Sequence, residues 1–225
     1  MDKIFAFNLK SNLIDEEKYF NSFFNKKHKK VIFFPSFLQL NAFFNKKTDN
    51  FSLGVQNICS YENMNITGEI TFDMLKNNIE YAIIGHSERR YILNESDEQI
   101  KQKIELCLVN NITPVLCIGE KVFESQEKTF DFLEKQVNSA LNNNYDKVII
   151  AYEPVYAIGT GNTCDINTIE KVCEFLKNRF NPKAVLYGGS VNEHNIEQLK
   201  LVKTCDGYLI GKTSLEIEKV NKIIE

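Results

Sequence analysis

Several features that mark particular classes of protein are missing from this 225-residue sequence. It has no apolar run that approaches the ~18 residues needed to span a membrane. The segment Met1–Lys10 lacks the long apolar core and the small-residue cleavage site of a secretory signal, so we expect a cytoplasmic protein. The net charge is −3, and the lysine-rich segments Lys26–Lys30 and Lys46–Lys47 are typical of solvated loops. We therefore expect neither a nucleic-acid partner nor a membrane partner.

Metal-binding patterns are also missing. The six cysteines are scattered, without a C-x-x-C pair or any other metal-ligand spacing. Cys107, Cys117 and Cys205 lie in apolar or element-like runs and are expected to fill the core. Scattered thiols of this kind suit a reducing compartment, which agrees with a cytoplasmic location. Of only three histidines, His28 lies in a basic loop and His194 near a helix start, and neither is expected to have a catalytic role.

What the sequence does contain is a regular alternation of short apolar runs and amphipathic stretches. Hydrophobic residues make up 43% and charged residues 25%, as in an ordinary globular protein. Several runs are continuous rather than alternating, which is typical of parallel strands buried on both faces. The predicted strands are Ile4–Phe7, Val31–Phe34, Phe51–Val55, Tyr81–Ile84, Pro114–Ile118, Val148–Tyr152, Ala184–Tyr187 and Gly207–Ile210.

Amphipathic segments between these runs predict helices. Ser96–Val109 opens with Ser-Asp-Glu, a cap followed by negative charge in the first turn, and its apolar residues recur at helical spacing. Phe123–Leu141 and Asp165–Phe180 have the same character, and Asp165 is predicted to cap the second of them. The last predicted helix is Leu215–Ile224.

Eight β-α units in succession predict the α/β class, with a parallel sheet and helices outside it. Alternation alone is also compatible with an open, doubly wound sheet, but eight units and a chain of this length favour a closed (β/α)8 barrel. No linker or low-complexity segment interrupts the pattern, so residues 1–225 are expected to form a single domain. In either architecture, ligands bind at the carboxyl ends of the strands.

Residues with catalytic side chains follow three of the predicted strands. Asn8 and Lys10 follow the first strand, and a lysine there can reach a phosphate or carbonyl oxygen. His86 follows the fourth strand just before a predicted helix start, where it can donate to a reacting oxygen. Glu153 follows the sixth strand and can act as a general base. Taken singly, each is more often a structural or solvated residue, but the combination points to a catalytic site.

Glycine-rich segments follow three strands. The stretch Val155–Gly161 after the sixth strand is mostly small and is predicted to be a mobile lid. Gly188-Gly189-Ser190 and Gly211-Lys212-Thr213-Ser214 follow the seventh and eighth strands, the usual phosphate site of this architecture. Glycines let backbone N–H groups approach an anion. Each cluster alone is an ordinary βα turn, but together with the three catalytic candidates they indicate a small phosphorylated substrate.

The chain resembles the triose-phosphate isomerase family, in motifs that follow the family's order over nearly the whole sequence. The matching stretches are Asn8-Leu9-Lys10, Gln56-Asn57, Thr67-Gly68-Glu69, Ile84-Gly85-His86-Ser87-Glu88-Arg89-Arg90, Glu95-Ser96-Asp97-Glu98, Cys117-Ile118-Gly119-Glu120, Ala151-Tyr152-Glu153-Pro154-Val155, Ala157-Ile158-Gly159-Thr160-Gly161 and Tyr187-Gly188-Gly189-Ser190-Val191. The resemblance implies a TIM barrel that interconverts dihydroxyacetone phosphate and glyceraldehyde 3-phosphate through an enediol(ate), in glycolysis and gluconeogenesis. It also implies a homodimer without metal or organic cofactor.

The resemblance implies a role for each matching residue. Glu153 would abstract the proton alpha to the carbonyl, and His86 would polarise the carbonyl and shuttle protons. Lys10 would contribute positive charge, and Glu88 would position the catalytic groups and pair with a nearby cation. The substrate-binding residues would be Asn8, Lys10, Gly159, Ser190, Gly211 and Lys212.

The homodimer is expected to form through the loop Gln56–Glu69, which is long for a βα connection. The resemblance implies that this loop inserts into the partner subunit beside Lys10. Met64 and Asn65 replace the small residues usual at the tip of the loop. We therefore expect Met64 to be an apolar anchor in the partner's pocket.

Three positions depart from the family's pattern. Tyr156 stands where one lid hinge usually has tryptophan, and Asn162-Thr163-Cys164 stands where the other usually has Lys-Thr-Ala. Lys212 stands where the second of two glycines is expected. No catalytic group is lost, so these changes bear on lid kinetics and phosphate affinity more than on the reaction. The chain is also somewhat short for the family, which predicts trimmed helices or loops.

Two other functions fit parts of the pattern. Another phosphate-binding barrel, such as a sugar-phosphate epimerase or an indole-forming synthase, would share the anion site. The joint presence of His86, Glu153 and the lid argues against it. A scaffold or binding protein with a decayed site would share the fold, but the intact set of lysine, histidine and glutamate argues against that function.

Overall fold

Eight parallel strands close into a barrel in the computed structural model, which describes residues 3–23, 30–62, 65–75, 79–157 and 164–225. The strands are β1 Ile4–Asn8, β2 Lys30–Phe34, β3 Ser52–Val55, β4 Tyr81–Ile84, β5 Thr113–Ile118, β6 Ile149–Tyr152, β7 Ala184–Tyr187 and β8 Gly207–Ile210. Each strand pairs with the next, and β8 pairs back with β1. The predicted closed barrel is confirmed, and every predicted strand end lies within one residue of the observed end.

Alternate side chains of each strand point to opposite faces of the sheet, which explains why the apolar runs are continuous. One set, which includes Ala6 and Val115, forms a cluster made only of strand residues, and this cluster fills the interior of the barrel. The other set, which includes Phe7, packs against the helices outside. Glycine is required at Gly54, because a Cβ there would lie 2.3 Å from the Phe34 ring.

Helices cover the outside of the barrel, and two of them have the caps that the sequence predicts. The helices are α1 Glu16–Ser22, α2 Leu40–Asn45, α3 Phe72–Leu75, α4 Ser87–Tyr91, α5 Asp97–Val109, α6 Gln126–Ala140, α7 Ile166–Phe180, α8 Ile196–Lys200 and α9 Ile217–Ile224. Ser96 caps α5 in a reciprocal capping box with Gln99, and Asp165 caps α7. No helix within the described ranges is long and apolar enough to cross a membrane.

Two predicted helix starts are wrong. Helix α6 begins three residues later than Phe123, because Ser125 accepts a hydrogen bond from the Lys128 N–H and so caps the helix. The last helix, α9, begins at Ile217 rather than Leu215, because residues 212–215 form a separate 3-10 turn.

The segments after β1, β2 and β3 carry short helices, of seven, six and four residues. Aromatic rings pack beneath them, centred on Phe33 of β2. Its ring centroid lies 5.8 Å from that of Tyr19, 5.7 Å from that of Phe43 and 5.2 Å from that of Phe51. Because each ring buries a large apolar area, a few residues suffice to cover this side of the barrel.

Candidate active site

The carboxyl ends of the strands open onto a cleft of about 620 Å³. Because parallel strands all end on the same side of the barrel, residues far apart in the chain meet there. The lining includes Asn8, Lys10, His86, Glu153, Ser190, Gly211 and Lys212. Of the other predicted site residues, Glu88 contacts the lining residue Lys10, and Gly159 lies outside the described residues. In the part of the chain that is described, no three histidine, cysteine, aspartate or glutamate side chains form a group suited to a metal ion.

His86 and Glu153 face each other in this cleft. His86 lies just beyond β4, Glu153 directly follows β6, and His86 Nε2 is 3.1 Å from Glu153 Oε1. The other carboxylate oxygen, Oε2, accepts a hydrogen bond from the backbone N–H of Ser87 at 3.2 Å. The two side chains are only 8% and 3% exposed. Their interaction is therefore little weakened by water.

The start of helix α4 determines which ring nitrogen of His86 carries the proton. The backbone N–H of Glu88 donates a hydrogen bond to His86 Nδ1, at 3.2 Å. A nitrogen that accepts a hydrogen bond carries no proton, so the proton of the neutral ring lies on Nε2. Nε2 is the nitrogen that faces Glu153, and the neutral ring can therefore donate into the cleft.

The pKa values of this pair are shifted by burial and by mutual attraction. Burial opposes ionisation of Glu153, but His86, the Ser87 N–H and Lys10 outweigh it and hold the pKa of the carboxyl below its usual range. Burial also opposes charge on His86, but the Glu153 carboxylate outweighs it and raises the pKa of the imidazole. Glu153 is thus ionised and ready to accept a proton at neutral pH, while the raised pKa of His86 depends on the carboxylate staying beside it.

Lys10 brings a positive charge to the cleft from a strained backbone. Its Nζ lies 2.6 Å from Glu88 Oε1, and its φ of 52° is in the left-handed region. The Asn8 side chain accepts a hydrogen bond from the Lys10 N–H at 3.0 Å, and the Gln56 amide donates to the Lys10 carbonyl at 2.7 Å. A left-handed conformation costs a non-glycine residue on the order of 1 kcal/mol. The two hydrogen bonds offset this strain and hold Lys10 in position.

Two glycines make room for Glu153. A Cβ on Gly119 would lie 1.8 Å from the Glu153 carbonyl oxygen, and one on Gly188 would lie 2.8 Å from Glu153 Cγ. The Glu153 N–H donates to the Ile118 carbonyl and the Gly188 N–H donates to the Tyr152 carbonyl, both at 2.7 Å. A side chain at either glycine would therefore displace the carboxylate from the strand ends that hold it.

The turns after β7 and β8 form another wall of the cleft, where Ser190, Gly211 and Lys212 lie. Thr213 Oγ1 donates to the Val191 carbonyl at 2.9 Å and so ties the two turns together. Lys212 begins the 3-10 turn, and its side chain is exposed. The described non-glycine residues with positive φ are Lys10, Asn94, Asn111, Asn143 and Asn181. A lysine at position 212 therefore adds no left-handed strain.

The described residues that flank the predicted lid contact one another. The Tyr156 hydroxyl lies 3.2 Å from Cys164 Sγ, and the Cys164 N–H donates to the Tyr187 hydroxyl at 3.1 Å. Two of the departures from the family's pattern, Tyr156 and Cys164, thus form a pair. Residues 158–163 lie outside the described part of the chain, so the lid itself stays a prediction.

The sequence did not indicate what Gln56 and Ser87 contribute to the cleft, which are a side-chain amide bonded to the Lys10 carbonyl and a backbone N–H bonded to Glu153. Gly188 was predicted only as part of the phosphate site, whereas in the structure it also leaves room for the Glu153 side chain. None of these contacts follows from the local sequence pattern. The available signal was their position inside the motifs that also contain the catalytic candidates.

Comparison with known proteins identifies the family of this chain. The family model described as triosephosphate isomerase matches residues 3–225. A triosephosphate isomerase of Aquifex aeolicus (strain VF5) is 38% identical over 245 aligned positions, which cover 100% of this chain and 99% of the relative. That of Mesomycoplasma hyorhinis is 41% identical over 187 residues, 81% of this chain and 77% of the relative. That of Campylobacter concisus (strain 13826) is 42% identical over 173 residues, 76% of this chain and 75% of the relative. This chain belongs to the triosephosphate isomerase family.

Proposed function

We propose that this protein interconverts dihydroxyacetone phosphate and D-glyceraldehyde 3-phosphate, a step of glycolysis and gluconeogenesis, in the cytoplasm. Membership of the family indicates an isomerase reaction with a triose phosphate as substrate. The observation that carries the proposal is the buried pair of His86 Nε2 and Glu153 Oε1, 3.1 Å apart in the cleft. An ionised carboxylate beside an N–H donor is what proton abstraction next to a carbonyl requires.

Glu153 acts as the base that removes the proton alpha to the carbonyl. The carboxyl is ionised at neutral pH, because its pKa lies below the usual range, and a base must be ionised before it can accept a proton. To reach a substrate carbon, the carboxylate leaves the Ser87 N–H and turns into the cleft. The same movement takes it away from His86 and removes the largest of the effects that raise the pKa of the imidazole, while the Glu88 carboxylate continues to raise it. We propose that His86 is neutral when the substrate is in place, as the tautomer whose Nδ1 accepts from the Glu88 N–H requires.

His86 acts as the electrophile through Nε2. A neutral histidine is the established electrophile of this family, and the Glu88 N–H bonded to Nδ1 supports the same tautomer here. The Nε2–H donates to the substrate oxygen as enediolate charge develops, and the same atom then exchanges protons between the two oxygens. Lys10, oriented by Glu88 at 2.6 Å, adds positive charge beside the forming enediolate.

The phosphate of the substrate binds at the turns after β7 and β8. Ser190, Gly211 and Lys212 supply contacts there, together with Gly159 from the segment outside the described residues. Asn8 contacts the substrate beside Lys10. The enediolate can eliminate phosphate, so exclusion of water around it protects the intermediate.

A coupled assay with D-glyceraldehyde 3-phosphate tests the proposal, using protein made in a host that lacks its own isomerase. We expect rapid turnover by the wild type. His86→Gln, folded to the same extent, should be at least about 100-fold slower, since a positioned acid–base group contributes that much or more. A folded wild-type protein without turnover would contradict the proposal and favour another phosphate-binding barrel or a binding protein.

We also propose that the protein is a homodimer that associates through the loop Gln56–Glu69. Large apolar side chains exposed on the segments after β1 to β4 support this: Leu13, Leu38, Met74 and Ile92 are between 61% and 84% exposed. The Gln56 amide at the start of the loop donates to the Lys10 carbonyl. Any shift of the loop is therefore transmitted to a catalytic residue.

Met64→Asp tests the dimer, although residue 64 lies outside the described residues. We expect the charge to weaken association and to reduce activity together, measured by light scattering and by the coupled assay on the same samples. Asp at an interface must be desolvated without a partner, which opposes association. A fully active wild-type monomer at assay concentration would contradict the proposal.

A further inference from the structure

Arg90 makes contacts that the mechanism above does not use. Its side chain is only 7% exposed, although it carries a full charge. Nε donates to the Gly85 carbonyl at 2.8 Å, Nη2 donates to the Cys117 carbonyl at 3.2 Å, and Nη1 donates to Asp97 Oδ1 at 2.8 Å. The planar guanidinium thus satisfies three acceptors in directions that no other side chain reproduces.

The two carbonyl groups belong to neighbouring strand ends. β4 and β5 pair in parallel up to Ile84, which lies opposite Leu116. Gly85 and Cys117 are the next residues along, and the φ of 68° at Gly85 turns that chain out of the ladder. The guanidinium of Arg90 donates to both carbonyls, so it joins the two strands at the point where the backbone ladder between them stops.

Each of these carbonyl groups lies next to backbone that holds a catalytic side chain. Gly85 directly precedes His86. Cys117 directly precedes Ile118, whose carbonyl accepts the hydrogen bond from the Glu153 N–H at 2.7 Å. A single arginine side chain therefore connects the backbone that carries the imidazole with the backbone that carries the carboxylate.

Gly85 fits the same arrangement. A Cβ at this position would lie 2.9 Å from Arg90 Nη2 and 3.2 Å from its Cζ. Glycine therefore allows the left-handed turn and also leaves the space that the guanidinium occupies. Gly85 and Arg90, five positions apart in one motif, therefore fit each other sterically. An arginine whose side chain pointed into solvent would not require glycine at position 85.

We infer that Arg90 is a positioning residue that sets the spacing of His86 and Glu153 by holding the ends of β4 and β5 together. Its effect on rate rests on the isomerase function proposed above. A displacement of about 1 Å between reacting groups typically slows an enzyme about 100-fold. The turns that bind phosphate lie after β7 and β8, so substrate binding is affected much less than the chemical step.

Arg90→Lys, with Asp97→Asn as its matched control, tests this inference. Lysine keeps the buried charge but cannot donate to both carbonyls in the fixed planar geometry of arginine. We expect kcat to fall about tenfold to 100-fold while KM changes less than about threefold. Asp97→Asn removes the charge that faces Nη1 and leaves both carbonyl bonds in place, so its kcat should stay within about twofold of the wild type.

Nitrogen NMR of the His86 ring supplies a readout that does not depend on turnover. In the wild type and in Asp97→Asn we expect one signal set, with the proton on Nε2 and Nδ1 accepting. In Arg90→Lys we expect these signals to shift or broaden. A purely structural role would lower the melting temperature and leave the signals and the kcat of the folded fraction unchanged.

The outcomes distinguish the positioning role of Arg90 from the proposed isomerase function. Wild-type kcat and wild-type ring signals in folded Arg90→Lys would overturn the positioning role. If Arg90→Lys does not fold, Arg90→Gln is measured in the same way, because its amide can still donate to one carbonyl. Failure of both variants to fold would show that the role of Arg90 is purely structural and would overturn the positioning role. An inactive wild type would contradict the isomerase proposal alone, because the ring signals still test Arg90.

Discussion

Two buried carboxylates in this barrel lie beside basic side chains, but we propose different roles for them. Glu153 and Glu95 each have side chains 3% exposed. In both, burial opposes ionisation but is outweighed, and the pKa lies below its usual range. Glu153 faces His86, whereas Glu95 accepts hydrogen bonds from Lys103 and Arg89. Burial with a lowered pKa therefore does not by itself identify a catalytic base.

The two pairs differ in whether the basic side chain beside the carboxylate is suited to proton transfer. Lys103 is 5% exposed, and it donates to Asn57 Oδ1 at 2.8 Å as well as to Glu95. Burial lowers the pKa of Lys103, and Glu95 opposes that shift. Removing either group would leave the other as an unpaired buried charge, so this pair stabilises the fold. An imidazole is suited to donating and accepting protons during a reaction, and the pair of His86 and Glu153 borders the open cleft.

The largest effect is expected from Glu153→Asp, which changes the proposed catalytic pair of Glu153 and His86 and leaves the pair of Glu95 and Lys103 intact. The shorter side chain retracts the carboxylate by about one C–C bond, away from the substrate carbon. We expect kcat to fall about 10³-fold, within the range that a general base supplies. Binding of a substrate analogue, measured by calorimetry, should weaken far less. Near-normal turnover in the coupled assay would remove Glu153 from the role of base.

Glu95→Gln should give the opposite result, a loss of stability with little loss of catalysis. The change leaves Lys103 buried without its carboxylate, which typically costs about 3 kcal/mol or more. Urea denaturation measures this loss, and kcat per folded molecule should stay within about threefold of the wild type. Equal stability of variant and wild type would show that Glu95 does not support Lys103.

The pH dependence of that stability difference follows from the direction of the shift. The pKa of Glu95 is lowered by folding, so its contribution is fully present above the ordinary carboxyl value of 4.5. It is lost as pH falls through the lowered pKa. The difference between Glu95→Gln and the wild type should therefore be full at pH 7 and should shrink in acid.

The contrast between the two pairs also shows what the sequence could predict. The eight strands followed from continuous apolar runs, because strands buried on both faces leave that pattern. Lys10, His86 and Glu153 followed from their places at strand ends. The partner of Glu95 could not be predicted in this way, because Lys103 lies eight residues away on helix α5. A lysine on a predicted helix is ordinarily solvated. Long-range burial of this kind depends on how the elements pack, which local patterns do not contain.

A third buried carboxylate, Glu120, forms no ion pair with any residue that the structure describes, and Glu120→Gln extends the comparison to such a group. Its Oε1 accepts a hydrogen bond from the Tyr152 hydroxyl at 2.8 Å, and its Oε2 has no hydrogen-bond partner among the described residues. Burial raises the pKa of this carboxyl. A group whose pKa is raised by folding stabilises the protein below its ordinary pKa and loses that contribution as pH rises through the folded value.

Glu120→Gln removes the ionisable group, so the stability of this variant relative to the wild type should increase as pH rises. Relieving one unpaired buried charge is worth about 1 kcal/mol, or roughly 2–4 °C in melting temperature for a chain of this length. Calorimetric scans at pH 4 and pH 8 measure the difference between variant and wild type. A difference that is the same at both pH values would show that Glu120 does not titrate in this range.

The smallest effect is expected at Lys212, an exposed cation that contrasts with all three buried carboxylates. Its φ is not positive, so glycine in its place relieves no left-handed strain. Its side chain is screened by solvent, and a cation near the phosphate in such a setting contributes at most on the order of 1 kcal/mol. We therefore expect Lys212→Gly to change KM by less than about fivefold, as measured in the coupled assay.

The backbone of the same residue should matter more than its side chain. Lys212 begins the 3-10 turn, a position where proline is tolerated, so Lys212→Pro removes the N–H with little damage to the turn. Losing a hydrogen bond to a charged phosphate costs about 1.5–3 kcal/mol, which corresponds to a rise in KM of more than about tenfold. Circular dichroism checks that both variants fold alike. Equal and mild effects of Lys212→Gly and Lys212→Pro would show that no phosphate contact passes through this amide.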